Sequence, residues 1–247
     1  MFLFKKRKIV VDAFTARPAI FDTAKIQEAT KFLPEWWKNL PSKVKDVLSN
    51  KIEVEYPTLK RCEGFLDLYR HGMIIPMWCD LKIKTTKDSY SYLYSGEKIE
   101  PITSHGIHEY GNAFEDYMHL KMVSPWLMSE QREVKFHFAP ASWSLIDYWK
   151  DLTILPGIVD YKYQCSTNIN MFVPKADNQI EFNHGQPLIH IVPLSDYDLE
   201  VKNHLISEQE WSVMYERHSW KTKLHGRLRL ARSIGKEQGK CPFGFGK

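Results

Sequence analysis

Five side chains in this sequence have the chemistry and the setting to act on a ligand: Asp67, Ser142, Asp160, Tyr163 and His190. Asp160 ends the apolar run Gly157-Ile158-Val159 and is followed by Tyr163, so a carboxylate that can take a proton stands near a ring that can stack. At a strand end the same carboxylate also serves the backbone, accepting local N–H groups in a turn. Tyr163 is then an ordinary sheet aromatic. Ser142 follows Pro140-Ala141 and offers a hydroxyl, and Asp67 lies in Glu63-Gly64-Phe65-Leu66-Asp67-Leu68. His190 alternates with Ile189 and Ile191. That pattern predicts a hydrogen-bonded strand histidine ahead of a ligand or a general base.

Other chemistries find little to stand on. A facial triad for a non-haem metal commonly opens with H-x-D or H-x-E, and none of the ten histidines has Asp or Glu two residues later. His105, His108 and Glu109 have a spacing compatible with metal on a turn, but a polar loop is the better reading of them. No G-x-S-x-G or G-x-x-x-x-G-K run is present, which removes the signatures of a serine hydrolase elbow and a P-loop. Cys62, Cys79, Cys165 and Cys241 are widely separated, without zinc spacing, and read as reduced thiols.

The elements that must position these residues are mostly strands. Ile169, Met171 and Val173 alternate with Asn168, Asn170 and Phe172, and Ile180 and Phe182 alternate with Glu181 and Asn183, the period of half-buried strands. Pro174 to Asn178 reads as a turn by composition. Gly157 and Gly185 open apolar runs and read as turn glycines, which predicts an antiparallel, hairpin-connected unit over residues 139–194. Lys8 to Phe14 predicts a first strand, and Asp22 to Phe32 a short helix with Asp22 as N-cap. Thr58 to Leu81 reads as strand, turn and strand with His71-Gly72 at the turn, and Lys82 to Glu100 continues β-rich with Tyr90, Tyr92 and Tyr94 in alternation. Pro34 and Pro41 bracket Trp36-Trp37, read as an aromatic plug in a loop, with an interface anchor as the alternative. Ser207 to Glu210 forms a capping box, and Trp211, Met214, Tyr215 and His218 follow at helical spacing. A basic segment from Arg227 to Ser233 prolongs this arm, which either packs on its own sheet or reaches a neighbouring subunit.

Between Ala139 and Leu194 the order of Pro140-Ala141-Ser142, the GIVDYKY turn, an alternating strand and the Gly185-Gln186-Pro187-Leu188-Ile189 turn resembles the dUTPase-like β-clip superfamily. The resemblance implies Asp160 as the base that activates the attacking water and Tyr163 as the platform under the deoxyribose. It implies Ser142 as a phosphate contact, Asp67 as the holder of a hydrated Mg²⁺, and His190 where a glutamine contacts the nucleotide. Two departures matter: Ala141 and Pro187 stand where the pattern has arginines. Fixed cations carry much of the stabilisation of phosphoryl transfer. The Phe243-Gly244-Phe245-Gly246 run is faintly similar to the glycine-rich tail that closes over the nucleotide.

Trp36-Trp37-Lys38-Asn39-Leu40-Pro41, the Cys62 to Asp67 element, Ile75-Pro76-Met77-Trp78-Cys79-Asp80 and Lys121 to Trp126 together resemble a group of uncharacterised tailed-phage proteins. That similarity spans residues 34–194 and implies an origin without an activity.

The chain has 247 residues, 43% of them hydrophobic, enough for a substantial core. Its formal charge of +4 does not support a nucleic-acid binder, and the basic runs at Lys5 to Lys8 and from Arg217 to Lys240 read as solvated faces. No membrane-spanning run and no signal peptide is legible, which predicts action in a host cytoplasm or an assembled virion, without secretion. The expectation is a mainly β protein with a β-clip-like antiparallel core, a short N-terminal helix and a C-terminal helix. It divides into residues 1–57 (strand, helix, Trp-rich loop), 58–203 (β-rich core) and 204–247 (basic helix and tail). Two functions follow. The first is a non-enzymatic oligomeric interaction or structural protein, a virion component with no cofactor and with phage proteins as further partners, a trimer being the form β-clip folds often take. The alternative is a Mg²⁺-dependent nucleotide diphosphohydrolase with an incomplete phosphate site.

Overall fold

A computed structural model of the chain describes residues 8–47, 53–96, 102–104, 114–144 and 151–237. Its N-terminal part runs β1 (Lys8–Thr15), α1 (Pro18–Thr23), β2 (Gln27–Glu28), α2 (Glu35–Lys38), β3 (Lys43–Val47), β4 (Glu53–Pro57), α3 (Glu63–Arg70) and β5 (Met73–Pro76). The middle holds β6 (Leu81–Thr85), β7 (Tyr90–Tyr94), β8 (Ile102–Ser104), β9 (Tyr117–Ser129), β10 (Lys135–Pro140), β11 (Thr153–Ile154) and β12 (Gly157–Asp160). Then come β13 (Ser166–Pro174), β14 (Asn178–Phe182), β15 (Pro187–Pro193), β16 (Asp198–Leu205) and α4 (Glu208–Glu237).

The architecture is mainly β and its sheets are largely antiparallel. One sheet has the order β11-β13-β9-β1-β16, with β8 also on β9; a second runs β12-β10-β15-β5-β2; β14-β6-β7 and β3-β4 form two smaller ones. β1 and β16 pair in parallel, from Lys8 opposite Asp198 to Thr15 opposite Leu205. Ile9, Val11 and Ala13 of β1, Ile169, Met171 and Val173 of β13, Ile180 and Phe182 of β14, and Ile189 and Ile191 of β15 enter one core. The period-two reading of β13 and β14 is therefore met residue for residue. Tyr90, Tyr92 and Tyr94 also share a face against that core, Tyr90 stacked on Tyr92 and Tyr94 tilted against Tyr92. β5 is buried at all four positions and β15 at Leu188 to Ile191. Such continuous burial marks strands covered on both faces, and the second cover is α3 with the Trp-rich segment.

Four expectations are corrected. The helix near the N-terminus covers Pro18–Thr23, because Pro18 presets φ for its first turn. Asp22 lies in its last turn. The following residues form an edge strand, and the Asn203 amide both accepts from the Ile26 N–H at 3.1 Å and donates to the Ile26 carbonyl at 2.8 Å. Residues 63–70 are helical rather than extended, because Phe65 and Tyr69 bury at the i, i+4 spacing of a helix face. Gly185 has φ +78° and is a turn glycine as expected, whereas Gly157 opens β12 and is required for a close approach: a Cβ there would meet Phe138 Cζ at 2.6 Å. The strands between 139 and 194 are not joined as consecutive hairpins, since β12, β13, β14 and β15 pass in turn to the second, first, third and second sheets.

Candidate functional site

The outer face of the second sheet carries the largest concentration of polar and aromatic groups. His190 on β15 is opposite Ile74 of β5 and Ala139 of β10, so its side chain shares a face with both and lies under α3. The ring is 4% exposed. Its Nε2 is 2.9 Å from the Leu68 carbonyl oxygen, which makes Nε2 the protonated nitrogen of a neutral ring, and Tyr69 packs edge-on at 5.1 Å. Burial, aided by His137 and opposed by the Leu68 bond, lowers the His190 pKa from 6.5 to about 4. Gly72 has no room for a side chain, as a Cβ would meet His190 Nε2 at 2.3 Å. The histidine is thus a neutral, hydrogen-bonded core group, as the alternation with isoleucines predicted.

Beyond Tyr69 an aromatic cluster seals the helix onto the sheet. Trp37 stacks on Phe65 at 5.4 Å, Trp143 meets Phe65 edge-on at 5.3 Å, and the Lys60 ammonium caps Trp37 at 4.1 Å from its centroid. Trp36 Nε1 donates to the Trp143 carbonyl at 2.8 Å. Trp37 is 9% exposed. The Trp pair packs as a plug, with Trp36 half-buried at its rim. The Tyr69 hydroxyl is pushed up to about 12 by burial.

Of the remaining residues singled out in the sequence, Ser142 and Asp67 lie at the margin of this cluster, and Asp160 and Tyr163 lie apart from it. Ser142 is exposed on a 3₁₀ turn beside Trp143. Asp160 ends β12 opposite Lys135, and its Oδ1 accepts the Lys162 N–H at 3.1 Å while its carbonyl accepts from Tyr163 and Gln164. It is a turn carboxylate. Lys162 and the Tyr163 hydroxyl both reach Glu133. From Asp160 to His190 is four residues along β10 and two strands across, roughly 13 Å by 10 Å. Asp67 faces solvent on α3, 3.6 Å from Arg70. The five residues do not converge within one chain, and among the described residues no group of three His, Cys, Asp or Glu side chains is placed to hold a metal. His105, His108, Glu109, Cys241 and the Phe243 to Gly246 run lie outside the described residues.

Two cavities flank these elements. A cleft of about 540 Å³ runs between α3 and the end of β15, lined by Gly64, Asp67, Leu68, His71, Val192, Pro193, Ser195 and Asp196. It holds Asp67 but none of Ser142, Asp160, Tyr163 or His190. A smaller one of about 160 Å³ lies beside α1, where Thr23, Trp78, Cys79, Ser95 and His184 meet. There burial, reinforced by the Asp80 charge, raises the Cys79 thiol to about 11, so it is no nucleophile at neutral pH. The Asp80 carboxylate is committed to the His184 N–H at 2.8 Å and the Ser95 hydroxyl at 3.3 Å.

The other prominent surface belongs to α4. Its capping box is formed as the sequence predicted: the Ser207 hydroxyl accepts from the Glu210 N–H at 3.2 Å, and Glu210 Oε2 accepts from the Ser207 N–H at 2.9 Å. Glu208 adds an ion pair with Arg17. His218 is buried and Trp211 and Met214 are half-buried, but Val213, Trp220 and Leu224 are 60%, 68% and 44% exposed. Sequence reading found the helix and missed this second apolar row, whose i, i+7, i+11 spacing was its only signal. No helix among the described residues is long and apolar enough to cross a membrane. No protein-family model matches the chain, and no curated protein matches it.

Proposed function

We propose that this protein is a non-catalytic interaction protein that assembles through α4, a structural component of the kind its resemblance to tailed-phage proteins suggests. The observation that carries this reading is the exposed row of Val213, Trp220 and Leu224 on a helix where His218 is buried and Trp211 and Met214 are half-buried. Trp is the residue most often found at the energetic centre of an interface. A helix with two apolar faces has two surfaces to cover. Some of the groups that would do chemistry are committed to the fold, His190 to the Leu68 carbonyl and Asp160 to its own turn, while Asp67 and Ser142 stay exposed.

The same reading takes the β-rich core as β-clip-like and the assembled form as a homo-oligomer, in a host cytoplasm or a particle assembled there. The Gly185 turn and the alternating β13 and β14 support the first part of it. The nucleotide alternative rests on the resemblance alone: the cleft that holds Asp67 holds none of the other four residues, so it would need a site shared between copies.

Two measurements on the full chain test the proposal. Light scattering is expected to give a mass above the 29.1 kDa of a single chain, and deoxynucleoside triphosphates with Mg²⁺ are expected to release no pyrophosphate. Monomeric protein at high concentration would overturn this reading, and Mg²⁺-dependent release lost in Asp160→Asn would replace it with the enzymatic one.

A further inference from the structure

We infer that α4 of one copy docks in the cleft between α3 and β15 of a second copy. The inference rests on the interaction reading above and names the surface and the partner. On an α-helix, at 100° per residue, Val213, Arg217, Trp220, Leu224, Arg227 and Leu228 fall within an arc of about 100°. Arg217 and Arg227, both exposed, therefore interleave with the apolar row. Trp211, Met214 and His218 lie on a separate, less exposed arc. From Arg217 to Lys236 the sequence has seven Lys and Arg residues and no Asp or Glu. The arm is apolar along one line and basic on both sides of it.

The cleft has the complementary character. Leu68, Val192 and Pro193 give it an apolar floor, and the next residue, Leu194, is 55% exposed. Asp67 and Asp196 stand on its walls, and Glu63 lies one turn before Asp67 on the same helix. Arg70, at 3.7 Å from Glu63 and 3.6 Å from Asp67, neutralises part of this charge. Asp67 and Asp196 in the lining, with Glu63 beside it, outnumber that one guanidinium, and His71 is the other titratable group of the lining.

A second copy is the occupant that uses both halves of this pattern. Nucleic acid would engage the basic residues but offers no apolar floor to a Trp and Leu row that is not arranged as a base-stacking platform. An anionic membrane would engage both, but it leaves the acidic cleft without a use. Trp220 is 68% exposed, so the arm does not fill the cleft of its own chain. Arm-to-cleft docking is directional: it closes as a reciprocal pair or as a ring.

The test is a charge-reversal cycle on the full chain, read as the self-association constant from sedimentation equilibrium. Arg217→Glu with Arg227→Glu on the arm, and Asp67→Lys with Asp196→Lys in the cleft, are each expected to weaken association about tenfold or more. All four substitutions in one chain are expected to restore it, which also shows that the reversed surfaces fold. If Trp220→Ser abolishes association while the cleft reversal leaves it unchanged, the arm docks elsewhere: this inference fails and the interaction reading stands. If the wild-type chain does not associate at any concentration, both fail. Binding of the chain to anionic vesicles or to duplex DNA that is lost on arm reversal, with self-association unaffected, also overturns it.

Discussion

His190 Nε2 sits 2.9 Å from the carbonyl oxygen of Leu68, a strand histidine bonded to the backbone of the helix that covers it. One bond thereby ties α3 to the middle of the second sheet, in the space that Gly72 leaves open.

The burial of His190 beneath α3, which the Leu68 bond only partly offsets, makes stability depend on pH in a defined direction. The ordinary imidazole value is 6.5 and the folded value is lowered to about 4. As pH falls below 6.5 the unfolded chain takes up a proton that the folded chain refuses, so the native state is destabilised. The contribution is intact above pH 6.5 and is lost progressively down to about pH 4, at most about 3 kcal/mol. His190→Gln can keep a donor to Leu68 without titrating. Denaturant unfolding at pH 7 and pH 5 should show a smaller loss in this variant than in the wild type, and equal losses would disprove the assignment.

Two glycines give opposite expectations for the same substitution. A Cβ on Gly157 would meet Phe138 Cζ at 2.6 Å and Cε1 at 2.7 Å, whereas one on Gly64, in α3, would meet nothing within 4 Å. Gly157→Ala should cost about 1–3 kcal/mol through overpacking, and Gly64→Ala should gain up to about 1 kcal/mol from helix propensity. Urea midpoints of the two variants check the contrast, and a shift of the same sign in both would contradict it.

Tyr161 and Thr167 form a buried hydroxyl pair at 2.9 Å, with Tyr161 wholly inaccessible and its phenol raised by desolvation. Thr167→Val leaves the phenol O–H without its partner and should cost about 1–3 kcal/mol. Adding Tyr161→Phe removes that orphan, so the double variant should be more stable than Thr167→Val alone. A double-mutant cycle with no coupling would show the two hydroxyls to be independent.

Local signals in the sequence were read correctly where one rule decided the outcome. The alternation of Ile169, Met171 and Val173 admits only a half-buried strand, and Ser207 with Glu210 admits little besides a helix start. The turn role of Asp160 and the buried role of His190 followed from their neighbours in the same way. What stayed hidden depends on partners distant in the chain. Nothing between Pro174 and Asn178 says that β13 and β14 enter different sheets. Residues 63–70 look strand-like until Phe65 and Tyr69 are seen to share a buried helix face. The cleft joins α3 to the end of β15, more than a hundred residues apart, and no spacing rule connects those segments.

The length and placement of α4 allow a last prediction about assembly and stability together. β16 ends at Leu205, so removing residues 207–247 takes away the helix while leaving every β1–β16 pair in place. The lost contacts within the chain are the Glu208 ion pair with Arg17 and the packing of Trp211, Met214 and His218. An exposed ion pair contributes up to about 1 kcal/mol, so the β core should still unfold cooperatively at only modestly lower denaturant. Its mass, in contrast, should fall to that of a monomer, since Val213, Trp220 and Leu224 are gone. Light scattering and urea unfolding of the truncated and full chains separate the two effects. A truncated chain that keeps the mass of the full one places the assembly surface on the β core, and one that fails to fold shows α4 to be structural.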